Sequence, residues 1–431
     1  MKHDKVGNFL EEYKLTPRSV DTGKTIALFI AEMEKGLSGE KSSLPMIPTY
    51  ICPGGFAPRC ESVIAIDAGG TNLRVSCVRF EAEGKPVIEN FHNHPMPGTK
   101  GGISVDRFFT QLASYVAPVA EGREKIGFCF SFPATITPDK DGRIIMFDKE
   151  VEITGAKGRL LGEGLIAALH DIGVKNIKKV VVINDTVATA LGAQAQLAGS
   201  CYDGYMGFIL GTGTNTCYAE DRKNIKKEPA IAKMSGSMLI NVESGSFDKA
   251  ERGLIDIELD SRSYDPGKMQ LEKMIAGAYI GEIFRLSVLK AKEKGILSGL
   301  FIEKAGQPSL TGTREMSAFL DDPYEGFYSG LCAGESDREA LRAIARAIIE
   351  RAGKLAAAKV LATALKSGQG KNPLRPVFVS AEGTTLYKLK GLHESVSRNM
   401  RQYAETAGTV NLELGRVENT TVFGSAISAF M

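Results

Sequence analysis

Two short glycine-rich runs carry residue types suited to phosphate: Asp67-Ala68-Gly69-Gly70-Thr71-Asn72 and Leu210-Gly211-Thr212-Gly213-Thr214-Asn215. A glycine lets the backbone approach a ligand with no Cβ in the way, and a following threonine offers a hydroxyl and an amide to a phosphate oxygen. Asp67 closes the strand ahead of the first run, where a carboxylate can hold Mg²⁺ against a polyphosphate, directly or through water. Either run alone is equally a hairpin turn that uses glycine for its positive φ. Their joint occurrence favours a nucleotide. Other phosphate patterns are missing: there is no G-x-x-x-x-G-K-[ST], the second run lacks the third glycine of G-x-G-x-x-G, and neither His-Arg-Asp nor Asp-Phe-Gly occurs.

A second set of polar residues falls at the ends of elements. The apolar run Val180-Val181-Val182-Ile183 leads into Asn184-Asp185-Thr186 at the start of a helical pattern. Strand ends of this kind face clefts in α/β folds, although an Asp there also serves as a helix cap. Asn241-Val242-Glu243 and Glu272 add polar groups near other element ends, each a turn or surface residue when taken alone.

The elements that must position these residues follow from periodicity and turn signals. Two amphipathic helices are expected within 1–45, the second over 24–37, followed by a proline-bearing link. An antiparallel meander is expected over 62–95, a helix over 102–120, a strand over 125–132, a helix over 158–171 and a strand over 178–184. A strand, turn and strand recur over 206–220. Helix is then expected over 270–291 and in segments over 337–365, a strand over 376–380, a helix over 392–406 and a closing helix from 421. Helices with mixed sheet give an α/β fold. The two glycine runs, each between extended segments, read as equivalent parts of two similar lobes or as two independent hairpins.

Composition narrows the partners. The 431 residues hold 53 basic and 51 acidic side chains, a formal charge of +2, so no large field draws a nucleic-acid backbone. Apolar runs fall far short of the roughly 20 residues that cross a bilayer, and the opening MKHDKVGNFLEEYKLTP has no apolar secretory region. No nucleic acid, no membrane and a cytoplasmic location are expected. Seven scattered cysteines without a CxxC pair and five dispersed histidines indicate neither a disulfide framework nor a zinc site.

As a set, the residues resemble a known family. FSFP at 130–133, INDT at 183–186, NVESGSF at 241–247 and PGKMQLEKMIAGAYIGEIFRL from 266, with DAGGTNLRV and GTGTN in their places, resemble the hexokinases and glucokinases, in order from about residue 60 to the C-terminus. The resemblance implies the ribonuclease-H-like, actin-like ATPase fold. Two lobes, each a mixed five-stranded sheet flanked by helices, would enclose a cleft for hexose and MgATP. The small lobe would be 46–184 plus 422–431, and the large lobe 1–45 plus 185–421.

Residue by residue, the resemblance implies hexose contacts at Ser131, Phe132, Lys149, Asn184, Asp185, Asn215, Glu243 and Glu272. Asp185 would be the base that takes the proton of the sugar 6-hydroxyl, and Lys149 would stabilise charge on the phosphoryl group. Nucleotide contacts would fall at Asp67, Gly69, Gly70, Thr71, Asn72, Arg74, Gly211, Thr212, Gly213, Glu382, Gly383, Thr384, Gly424 and Ser425, with Asp67 also serving Mg²⁺. Phe423-Gly424-Ser425-Ala426 departs from the family's Asp-Gly-Ser-Gly, Lys268 and Met269 stand where two glutamines are usual, and Asp148 stands where Thr is usual. The implied reaction is ATP-dependent phosphorylation of glucose, with mannose and fructose as further candidates, by a monomer or homodimer. A non-catalytic sugar-binding regulator and a kinase for another polyol or amino sugar are the alternatives on the same fold.

Overall fold

Two mixed sheets with one shared strand order organise the chain in a computed structural model, which describes residues 2–54, 59–147, 151–300, 312–407 and 410–431. In the first sheet, Lys179–Ile183, Lys125–Phe130 and Ser62–Gly69 run parallel, and Asn72–Phe80 and Pro86–Pro95 continue antiparallel. The second repeats this plan with Leu412–Gly415, Val377–Glu382, Gly204–Leu210, Thr214–Asp221 and Ser237–Asn241. Each glycine run is therefore the turn between the first two strands of its unit, and the reading as equivalent parts of two lobes holds. The second sheet has one strand more than expected: Ile47–Pro48 pairs antiparallel with Ser237–Asn241, so these two residues, assigned to the small lobe, extend the large lobe's sheet.

Sequence accounts for the central strands. Val63 to Ala68 are buried without a break, the unbroken pattern of a strand covered on both faces. The interior of the first lobe includes Ile64, Ile66, Phe108, Leu112, Phe128 and Leu165, all fully buried.

A helix follows the last strand of each unit, Asp185–Gln196 after Lys179–Ile183 and Thr420–Ser428 after Leu412–Gly415. Each crosses to the other unit: Asp185–Gln196 packs on Gly204–Leu210, and Thr420–Ser428 packs on Ser62–Gly69 and Lys125–Phe130. Where the two helices meet, an added Cβ at Gly192 would lie 2.0 Å from the Thr420 carbonyl oxygen, and one at Gly424 would lie 1.9 Å from that of Ala188. Only glycine allows this approach. Gly424 and Ser425, expected as nucleotide contacts, are buried inside this crossing, the Ser425 hydroxyl donating back to the Thr421 carbonyl (2.6 Å). Small residues that read as a turn are small because a second helix lies against them.

Two further differences concern helices. The pattern over 270–291 breaks at Ala276 into Gln270–Ile275 and Gly277–Glu293, because the Gly277 and Ala278 amides donate to the carbonyls of Gly211 (2.8 Å) and Thr212 (3.2 Å). The segments over 337–365 form one 33-residue helix, Glu335–Ser367, ended by Gly368 in the left-handed conformation (φ 70°). Among the described residues no helix is long and apolar enough to cross a membrane.

Replacing Gly192 or Gly424 with Ala forces a methyl group onto a backbone carbonyl, so each substitution should cost about 1–3 kcal/mol and lower the urea midpoint. An unchanged midpoint in both variants would contradict the crossing.

Candidate active site

Asn184 and Asp185 stand where strand Lys179–Ile183 turns into helix. The Asn184 Oδ1 accepts from the Thr186 amide (2.9 Å), and the Asp185 Oδ1 accepts from the same amide (2.7 Å) and from the Thr186 hydroxyl (3.2 Å). The cap is therefore Asn184 rather than the expected Asp185, which opens the first helical turn. Burial pushes the Asp185 carboxyl up to about 6, opposed by the Thr186 bonds and reinforced by the charges of Glu243 and Asp67.

Beside this pair, Phe130, Phe132, Ile183, Asn184, Asn241 and Glu243 line a small cavity. A chain of amides supports its polar wall. Asn215 Nδ2 donates to Asn241 Oδ1 (2.7 Å), Asn241 Nδ2 donates to Glu243 Oε1 (2.8 Å), and Asn215 Oδ1 accepts from the Thr216 and Ser244 amides (2.7 and 3.2 Å). Glu243 occupies the left-handed region (φ 55°), a disfavoured conformation for a residue with a Cβ and one that clusters at functional sites. Burial raises its carboxyl above the ordinary range. Asn241, which the sequence shows only as a polar residue near an element end, is the middle link.

Glu272, in the first turn of Gln270–Ile275, accepts from the Thr214 amide through Oε2 (2.9 Å), and burial with help from the Glu243 charge pushes it up to about 7. The Ser131 amide donates to the Ala68 carbonyl (3.0 Å), which holds Ser131 beside the first glycine turn. Under Asp67 and Asp185 lies the buried Cys129 thiol, raised by burial and by both charges and so kept protonated. Lys149 lies outside the described residues.

Asp67 and Glu382, two of the residues expected at the nucleotide, meet at the start of the last helix. The Thr421 hydroxyl donates to Asp67 Oδ2 (3.0 Å), which also accepts from Arg74 Nη1 (2.9 Å), while the Thr420 hydroxyl donates to Glu382 Oε1 (3.0 Å). Adjacent hydroxyls thus hold one carboxylate from each sheet. Burial raises Glu382, with the Thr420 bond and the charges of Arg416 and Arg74 opposing and that of Asp67 adding. Asn419, Thr420 and Thr421, rather than Gly424 and Ser425, form the helix start that faces these groups.

In the first turn, Gly70 takes φ 57° and Thr71 and Asn72 are exposed, the Asn72 Nδ2 donating to the Thr71 hydroxyl (3.4 Å). In the second, the Gly211 carbonyl accepts from the Gly277 amide and the Thr385 hydroxyl (2.8 Å each), the Gly211 amide donates to the Gly213 carbonyl (2.9 Å), and Thr212 is exposed. Gly383 takes φ 125° against the Leu210 carbonyl, and Thr384 is exposed at the start of Thr384–Lys388.

Asp67 is a hard oxygen donor within this crevice, and among the described residues no group of three or more His, Cys, Asp and Glu could hold a metal ion. Such a donor set suits Mg²⁺ arriving on a nucleotide, with phosphate and water completing its coordination.

Hexokinase family models match residues 5–195 and 205–431. The chain is 31% identical over 363 residues to Hexokinase-1 of Schizosaccharomyces pombe, covering 78% of this chain and 73% of that one. It is 32% identical over 388 residues to Hexokinase-5 of Oryza sativa subsp. japonica, covering 83% and 75%. A solved hexokinase from Schistosoma mansoni, complexed with glucose, shares the fold over the full length of both chains, with a TM-score of 0.81 at 24% identity. The chain belongs to the hexokinase family, the ATP-dependent sugar kinases of the actin-like ATPase fold.

A methyl group at Gly383 would lie 2.3 Å from the Leu210 carbonyl oxygen at a φ that only glycine adopts freely. Gly383→Ala should therefore raise the KM for ATP by roughly tenfold or more, with a smaller effect on the KM for hexose. Equal KM values for ATP in the two proteins would exclude this turn from the nucleotide site.

Proposed function

We propose that the protein transfers the γ-phosphoryl group of MgATP to the 6-hydroxyl of glucose, with mannose and fructose as further acceptors and Asp185 as the base. The reading is supported by one observation: the neighbouring Thr420 and Thr421 hydroxyls hold Glu382 and Asp67, the carboxylates that stand beside the two glycine turns, one from each sheet.

A sugar hydroxyl is a weak nucleophile. The Asp185 carboxylate orients it and accepts its proton as the new oxygen–phosphorus bond forms and the bond from phosphorus to the β-phosphate oxygen breaks, leaving ADP. Its raised pKa matches a base working near neutral pH. The other sugar hydroxyls meet Glu243 and Glu272 as acceptors and Asn184 and Asn215 as mixed donors and acceptors. A buried polar wall of this kind penalises an acceptor that lacks a hydroxyl, because its partner is then left unpaired. Phe132 closes the apolar side of the cavity, and Ser131 and Lys149 complete the contacts in this reading. Gly69 to Asn72, Arg74, Gly211 to Gly213, and Gly383 with Thr384 hold the nucleotide. When bound at Asp67, Mg²⁺ neutralises charge on the β and γ oxygens. Closure of the lobes on the sugar excludes water that would otherwise take the phosphoryl group. The protein acts in the cytoplasm as a monomer or homodimer, without nucleic acid or membrane, a reading supported by its small net charge.

A coupled assay for hexose 6-phosphate over a panel of sugars tests the reading, and activity confined to other polyols would replace glucose as acceptor. Asp185→Asn should lower kcat by roughly 10²–10⁴-fold while ATP binding persists; near-normal turnover would remove Asp185 from its role. A base must be unprotonated to act. Turnover of the unaltered protein should therefore fall as pH drops through about 6, and a rate unchanged well below that pH would contradict the assignment.

A further inference from the structure

Lys359 lies midway along Glu335–Ser367 and is fully buried (0% exposed). The other deeply buried lysine among the described residues, Lys273, has carboxylates at contact distance, Asp260 at 2.8 Å and Asp265 at 3.0 Å. Lys359 is held differently: its Nζ donates to the Thr214 hydroxyl and lies 4.9 Å from the centre of the Phe208 ring. Thr214 carries the contact into the crevice. Its hydroxyl donates to the Ile209 carbonyl (2.8 Å) and its amide donates to Glu272 Oε2 (2.9 Å), so the ammonium and the carboxylate flank one residue of the second glycine run.

A buried ammonium is strongly disfavoured without a compensating charge, and Glu272 is the charge that acts on it, opposing the burial that pushes Lys359 down to about 7. In return Lys359 opposes the burial that pushes Glu272 up, while Glu243 and Asp265 reinforce that rise. Among the other charged groups on the elements that pack here, Glu220 is paired with Lys366 (3.3 Å), Lys273 with Asp260 and Asp265, and Glu32 of the helix Thr22–Ser38 with Lys35 (2.8 Å).

We propose that Lys359 is a positioning residue for the hexose, its buried charge keeping Glu272 an ionised acceptor for a sugar hydroxyl while it ties Thr214 to the same pair. The proposal rests on the hexose-kinase reading, since Glu272 has this task only if a sugar reaches it. The two groups titrate as a coupled pair. Acid protonates Glu272 and weakens sugar binding. Removing the Lys359 charge leaves Glu272 protonated to higher pH, so hexose affinity is lost near neutrality and returns in alkali.

The test is the KM for glucose from about pH 6 to about pH 9 in the unaltered protein, Lys359→Met and Lys359→Gln. The Gln variant keeps a donor for Thr214 but no charge, and it carries the test if thermal melting finds the Met variant unfolded. Both should raise KM by roughly tenfold near neutral pH and move the inflection of the profile upward by about one unit, with kcat changing less than KM. An inflection that stays in place overturns the proposal, whether KM is unchanged or raised only by loss of packing in the Met variant. Unaltered protein that phosphorylates no hexose sinks the functional reading and this proposal together; active protein with an unmoved inflection sinks this proposal alone.

Discussion

Everything in the crevice depends on two helices that cross so closely that backbone carbonyls take the space of side chains at Gly192 and Gly424. Each helix leaves the last strand of one sheet and packs on the other. The crossing therefore joins the two sheets and brings both helix starts between them. One start carries Asn184 and Asp185; the other carries Thr420 and Thr421. Helix starts hold unpaired amides and partial positive charge, which suits carboxylates and phosphates gathered there.

The same geometry sets the electrostatics. Asp67, Asp185, Glu243, Glu272 and Glu382 come from five separate stretches of sequence; burial raises Asp185, Glu243, Glu272 and Glu382, and neighbouring carboxylates add to the rise of Asp185, Glu272 and Glu382. The opposing groups are few and specific. Arg74 and Thr421 bond Asp67, Thr420 bonds Glu382, Thr186 bonds Asp185, and Lys359 acts on Glu272. Carboxylates raised in this way can accept a proton or a hydroxyl hydrogen bond, the two tasks a sugar kinase asks of them.

Much of this was legible in sequence because it is local. A strand, a glycine turn and a second strand announce themselves by composition, and both runs proved to be equivalent turns in a repeated sheet. Asp185 was legible as a residue at a strand end. What failed was information carried by distant packing. The sequence does not tell of the Ala188 carbonyl against Gly424, nor that Gly424 and Ser425 lie within a helix crossing. The break at Ala276 depends on acceptors at Gly211 and Thr212, some 65 positions earlier. Ile47 and Pro48 gave no sign of joining the far sheet. Lys359 in a helical run has the look of a solvated side chain, and only the tertiary fold buries it beside Thr214 and Glu272.

The central claim is that both glycine turns and Asp185 face one ligand-filled crevice, and a crystal structure with glucose and a non-hydrolysable MgATP analogue tests it most directly. The account predicts the triphosphate between Gly69–Asn72 and Gly211–Gly213, and the sugar 6-oxygen roughly 2.6–3.2 Å from the Asp185 carboxylate. A sugar bound away from Asp185, or phosphates that touch only one of the two turns, would contradict it.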